Sequence, residues 1–83
     1  MEYNNKTIGK IYDFDGEAGS IITIDNEYMF NTQNVKKANT IQNDAFVAFY
    51  PSTVKFGNEI IKIAREIENL SKDDIKKLQK ERN

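Results

Sequence analysis

The chain of 83 residues contains no cysteine, no histidine and no tryptophan, and it has one proline and four glycines. The absence of cysteine excludes disulfides and thiolate nucleophiles, and the absence of both cysteine and histidine excludes zinc sites built on sulfur or imidazole. The missing histidine also removes the usual general base near neutral pH. Carboxylates and lysines remain for chemistry, but their spacing supplies no nucleophile and no pocket. We therefore expect a protein that is not an enzyme and that uses no metal and no cofactor.

Long apolar runs and an excess of one charge are also missing. No apolar stretch approaches the roughly 20 residues that a transmembrane helix needs, and the first ten residues lack the apolar segment of a secretory signal peptide. We therefore expect a cytoplasmic protein that does not bind membranes. The net charge is −1, from 12 basic and 13 acidic residues. Nucleic-acid binding would thus depend on a local patch of lysines and aromatic rings.

The chain does contain short β-type runs, separated by turn residues at intervals of roughly 8 to 12 positions, which is typical of a small all-β barrel or sandwich. The predicted strands are residues 8–14, 20–24, 28–31, 45–50 and 59–64. Asp15 with Gly16, and Asp25 with Asn26, tolerate the backbone angles of the first two turns. We predict that the first three strands form a meander. Pro51 lacks an amide donor and is predicted to end the fourth strand.

The length supports one domain with a modest core. The predicted fold class is mainly β: a small five-stranded antiparallel barrel over residues 7–65, followed by a linker and a short helix within residues 66–83. Residues 32–44 are polar and are predicted to form a long connection with room for one helical turn. Phe30, Phe46 and Phe49 alternate with other apolar residues and are predicted to lie in the core.

The C-terminal segment carries the clearest local signal, a helix over residues 71–82. Ser71 is a favourable N-cap, acidic residues occupy the first turn, and basic residues crowd the last turn. Leu70 and Ile75 have the spacing of a hydrophobic staple. The apolar face consists of Ile75 and Leu78 alone, which is too narrow to hold an isolated helix of about 11 residues in water. We therefore expect the helix to dock on the barrel or on a second chain.

The order of motifs along the chain resembles that of the cold-shock domain. The matching stretches are GKIYDFDGEAGSIITI at residues 9–24, YMFNT at residues 28–32, and residues 41–49 and 57–63. In that family the first strand opens with a glycine and an apolar residue, matched here by Gly9 and Ile11. The resemblance spans roughly residues 8–65. It implies an OB-type five-stranded barrel that binds single-stranded RNA or DNA through a platform of aromatic side chains.

The function implied by the resemblance is weak single-stranded nucleic-acid binding. The candidate residues are rings that adjoin loops or lie on the first strand, together with lysines able to contact phosphate. They are Lys10, Tyr12, Phe14, Lys55 and Phe56. Because the net charge is close to zero, we expect this binding to be salt-sensitive and little dependent on sequence.

The residues at the family's platform positions support a second function. Where the family has Trp, Phe, Phe and His, this chain has Asp13, Ser20, Ile22 and Asn31. The aliphatic Ile22 and the neutral Ser20 and Asn31 suit a protein surface better than bases, and the Asp13 carboxylate would repel phosphate. The alternative is a protein–protein interaction module that binds a protein partner or a second copy of the chain. Its candidate residues are Ile22 on the barrel and Ile75 and Leu78 on the C-terminal helix.

Overall fold

The computed structural model describes residues 6–36 and 40–81, with side chains described as far as residue 76. Within these residues the chain forms five strands, one 3₁₀ turn and one α-helix. The strands are β1 Thr7–Tyr12, β2 Ala18–Ile22, β3 Glu27–Asn31, β4 Phe46–Phe56 and β5 Glu59–Asn69. The 3₁₀ turn Thr32–Asn34 supplies the helical turn predicted in the long connection, and the helix α1 spans Lys72–Glu81.

The five strands close into a barrel in the order β1-β2-β3-β5-β4, with β4 returning to β1. This confirms the predicted mainly β barrel with a short C-terminal helix, and it is consistent with an OB-type barrel. The prediction of purely antiparallel pairing is wrong, because β3 and β5 run parallel where Met29 faces Ile63. A closed ring of five strands cannot alternate direction at every pair, so at least one pair must be parallel.

The β1–β2 connection shows why the first strand is shorter than predicted. β1 ends at Tyr12 because Asp13 has a φ of 56°, which turns the chain out of the strand. The side chain of Asp15 then accepts hydrogen bonds from the backbone N–H groups of Glu17, at 2.9 Å, and Ala18, at 3.0 Å. This turn starts β2 at Ala18, two residues earlier than predicted.

The core is formed by inward-facing residues of all five strands. The fully or almost fully buried members of the cluster are Ile11, Ile21, Phe30, Val47, Phe49, Ala64 and Ile67. The predicted core positions of Phe30 and Phe49 are confirmed. The prediction for Phe46 is wrong, because Val47 and Phe49 point inward and the side chain of Phe46 is 43% exposed. Successive side chains of a strand point to opposite faces, so these three residues cannot all enter the core.

β4 does not end at Pro51 as predicted but continues to Phe56. The pair Phe56 and Glu59 closes a two-residue turn, in which Gly57 has a φ of 64°. Hydrogen-bonded pairs alternate along an antiparallel ladder, so Pro51, five residues before Phe56, directs its nitrogen away from β5. The missing N–H therefore costs no hydrogen bond with β5, and the strand passes through the proline.

β5 is also longer than predicted and reaches Asn69, so residues 66–69 belong to a strand rather than to a linker. Glu66 has a φ of 51° and lies where the β4–β5 register shifts, after which pairing resumes with Ala48 opposite Glu68. The backbone N–H of Lys36 also donates to the carbonyl of Ile67 at 2.8 Å. These contacts fasten the end of β5 immediately before α1.

Candidate binding surfaces

One row of outward-facing side chains crosses every strand of the barrel. Each member of the row is the cross-strand partner of the next, in the order Tyr12, Ser20, Met29, Ile63 and Ser52. Tyr12 is the sole aromatic residue of this row. Met29 lies at the centre of the row and is 55% exposed. It was not identified as a candidate from the sequence. Ser20 and Met29 thus make a small and flexible middle section, where a stacking surface would need rings.

Phe14, a predicted stacking residue, packs against the core. Its ring stacks on that of Phe30, with centroids 5.6 Å apart and an angle of 19° between the planes. The side-chain oxygen of Asn43 accepts from the N–H of Phe14 at 2.8 Å, and the Asn43 amide donates to the Phe14 carbonyl at 3.1 Å. A Cβ atom on Gly19 would lie only 2.9 Å from the Cα of Phe14. One face of the half-buried ring is therefore occupied by the barrel itself.

The other four predicted nucleic-acid residues fall into two groups. Lys10 and Tyr12 lie on β1, and the Lys10 ammonium is 3.7 Å from a carboxylate oxygen of Asp44. Lys55 and Phe56 end β4, nine and ten residues beyond Phe46, the pairing partner of Lys10. Since they are consecutive strand residues, Lys55 and Phe56 point to opposite faces of the hairpin. The structure therefore does not bring the five candidates onto one continuous face.

Several cations near the barrel ends are engaged within the chain. The Lys6 ammonium lies 2.9 Å from one Glu68 oxygen and 5.0 Å from the ring centroid of Tyr50, and Lys36 lies 3.3 Å from the other Glu68 oxygen. The pKa of Glu68 is lowered, first by the hydrogen bond from Lys6 and then by that from Lys36, although burial opposes the shift. Lys62 donates a short hydrogen bond to Asn26. Lys6 and Lys36 are therefore partly neutralised by Glu68, and the ammonium of Lys62 is engaged by a neutral amide.

The carboxylate of Asp15 in the β1–β2 turn has a structural role. The pKa of Asp15 is lowered, chiefly because its carboxylate accepts from the backbone N–H of Ala18 and then from that of Glu17. Within the described residues, no group of three or more potential metal-binding side chains is close enough to hold an ion. The Asp15 carboxylate therefore stabilises the turn.

The predicted partner residue Ile22 lines a groove between β1, the β2–β3 turn and the start of β4. This groove, named here the Ile22 groove, has a volume of about 480 Å³. Its apolar lining includes Ile22, Ile24 and Phe46, and the side chains of Ile22 and Ile24 are 45% and 94% exposed. Lys10 and Asp25 also line it. The groove therefore combines exposed apolar side chains with one charge of each sign.

The start of α1 adjoins the same region. Ser71 is the predicted N-cap: its hydroxyl accepts from the N–H of Asp74 at 3.1 Å, and the Asp74 carboxylate accepts from the N–H of Ser71 at 3.3 Å. Leu70 is buried, and Ile75 is half-buried. Both line a second groove of about 390 Å³ together with Phe46. The Leu78 side chain lies outside the described residues.

Phe46 therefore connects the two predicted partner sites, because it lines both grooves. We name the combined area of Ile22, Ile24, Phe46 and Ile75 the Phe46 surface. Sequence reasoning identified Ile22 and Ile75 but assigned Phe46 to the core. The pairing of Phe46 with Lys10 on β1 places its ring outside the barrel, and that long-range register carries no local sequence signal.

No family model, curated protein or solved structure matches this chain. None of the helices in the described part of the chain is long and apolar enough to cross a membrane. Any proposal about function therefore depends on the geometry of the surfaces described above.

Proposed function

We propose that this chain is a non-enzymatic binding module whose Phe46 surface binds a protein partner. The observation that carries the proposal is the position of Phe46, a large half-exposed ring that lines both the Ile22 groove and the groove at the start of α1. Contiguous exposed apolar side chains with a polar rim are typical of protein interaction sites. Here Lys10 and Asp44 supply part of that rim.

The chemistry of the surface also favours protein over nucleic acid. Ile22, Ile24 and Ile75 offer no flat π face for stacking bases. Two rings line the Ile22 groove, Phe46 and Tyr28, and the ring of Tyr28 packs edge-on against Phe49. The nearby cation Lys10 is paired with Asp44 at 3.7 Å, and Asp25 would repel phosphate. An aliphatic segment of a partner would instead gain from contact with each of these side chains.

Weak binding of single-stranded RNA or DNA is the second candidate function. It is favoured by Phe56, which is 76% exposed beside Lys55 at the end of the β4–β5 hairpin. In OB-type barrels the loop between the fourth and fifth strands is one of the elements that contact oligonucleotides. This support is an analogy at the level of the fold, and it applies to two residues, Phe56 and Lys55.

Photo-crosslinking tests the proposal against this second candidate. A benzoylphenylalanine placed at Ile22 should give adducts in cells that are sensitive to protease and resistant to nuclease. The same group at Glu17, an exposed residue of the β1–β2 turn, is the control and should give few adducts. Nuclease-sensitive adducts at position 22, or equal protein adducts at both positions, would contradict the proposed function.

A further inference from the structure

We infer that the partner of the Phe46 surface is a second copy of this chain, whose β4–β5 hairpin inserts Phe56 into the Ile22 groove. Reciprocal insertion would produce a closed dimer with twofold symmetry. This inference rests on the proposed function, because it names the occupant of the same surface.

The first argument is the exposed end of the hairpin. Among the described residues, β1 pairs with β4 only as far as Phe49, and β3 pairs with β5 at Ile63. Beyond these points the two strands pair with each other, and a two-stranded ribbon is marginally stable in water. Phe56 and Ile60 nevertheless remain largely exposed at its end. Burial of this end against another surface would stabilise it.

The second argument is the location of the groove. Lys62 of the hairpin binds Asn26 of the β2–β3 turn, and Asn26 also lines the Ile22 groove, so hairpin and groove share one end of the barrel. Glu59, which pairs with Phe56 at the end of the hairpin, is three residues from Lys62, a distance of roughly 10 Å along the strand. None of the described hairpin residues beyond Tyr50 lines the groove of its own chain. A second copy facing this end could therefore receive Phe56.

The third argument is charge complementarity. Glu59 is the cross-strand partner of Phe56, so its side chain lies on the same face of the hairpin as the ring. Lys10 lines the groove. Insertion of Phe56 would bring the Glu59 carboxylate towards the Lys10 ammonium. The existing pair of Lys10 with Asp44 is exposed and 3.7 Å long, so exchanging it costs little.

Sedimentation velocity over a range of protein concentrations tests the inference. The unmodified chain should change from monomer to dimer as its concentration rises. Phe56→Ala removes the inserted ring, and Ile24→Glu places a carboxylate in the groove at a side chain that is almost fully exposed. Each variant should raise the dimer dissociation constant by about 30-fold or more, as loss of an interface anchor does. Met29→Ala, a matched exposed residue outside both elements, should leave the dissociation constant unchanged.

A mixing experiment separates insertion from general apolar association. Phe56→Ala keeps an intact groove and Ile24→Glu keeps an intact hairpin, so an equimolar mixture should form a mixed dimer that has one of the two insertions intact and is tighter than the dimer of either variant alone. A chain that stays monomeric at all concentrations, or a dimer unaffected by Phe56→Ala, would overturn the inference. A lack of recovery on mixing would overturn it as well. Protein adducts at position 22 in cells, with a monomeric purified chain, would overturn only this inference and leave the proposed function standing.

Discussion

Replacement of Phe14 by alanine separates a packing role of this ring from a base-stacking role. Phe14 is half-buried, and its ring stacks on Phe30 with centroids 5.6 Å apart. Complete removal of a buried phenylalanine side chain costs about 3 to 5 kcal/mol. Because this side chain is partly rather than fully buried, we expect a loss of roughly 2 kcal/mol in the free energy of unfolding. For a domain of this size that corresponds to a fall in Tm of roughly 8 to 16 °C.

Urea unfolding followed by circular dichroism would measure this loss, with Phe56→Ala as the matched control at a concentration where the chain is monomeric. Phe56 is exposed at the hairpin end, so its replacement should change the free energy of unfolding by less than about 0.5 kcal/mol. If Phe14→Ala left stability unchanged but weakened oligonucleotide binding several-fold, the packing interpretation would be refuted. The ring would then belong to a nucleic-acid surface.

Three further predictions concern the fold. Gly9→Ala places a Cβ against Ile21 inside the barrel and should cost roughly 1 to 3 kcal/mol of stability in urea unfolding. The lowered pKa of Glu68 means that its ion pair with Lys6 stabilises the fold above the ordinary carboxyl pKa and is lost as the pH falls through the lowered value. Glu68→Gln should therefore flatten the acid side of a stability-versus-pH curve. Ser71→Ala removes the N-cap of α1 and should cost the helix about 1 kcal/mol, seen as faster amide exchange, whereas Ser71→Asp should not.

The sequence predicted those parts of the fold that depend on local signals. The turn at Asp15, the cap at Ser71 and the barrel class are all encoded within a few residues of the elements that they specify. The parallel pairing of β3 with β5 follows from the closure of five strands and could have been predicted from their number. β4 continues through Pro51 because the proline nitrogen points away from β5. That direction follows from the register of the β4–β5 pairing, which is fixed by the turn at Gly57 and not by the residues around Pro51.

The candidate surfaces were harder to predict, because they depend on which strands become neighbours. Phe46 and Phe49 look equivalent in an alternating apolar run, yet only the pairing of β4 with β1 decides which of them faces outward. Met29 becomes the centre of the outer row through its partners Ser20 and Ile63, and Ile63 lies 34 positions later in the chain. Ile22 and Ile75 were identified from their residue types, but their connection through Phe46 required the three-dimensional structure.

The central proposal is that the Phe46 surface binds protein rather than nucleic acid. A heteronuclear NMR titration with a short oligopyrimidine at low salt tests the second half of this proposal most directly, because a bound oligonucleotide shifts the amide signals of the residues that it contacts. We expect the amide signals of Lys10, Phe14 and Phe56 to remain unchanged up to high micromolar oligonucleotide. Saturable shifts at these three residues that weaken as salt is added would contradict the claim and assign the surface to single-stranded nucleic acid.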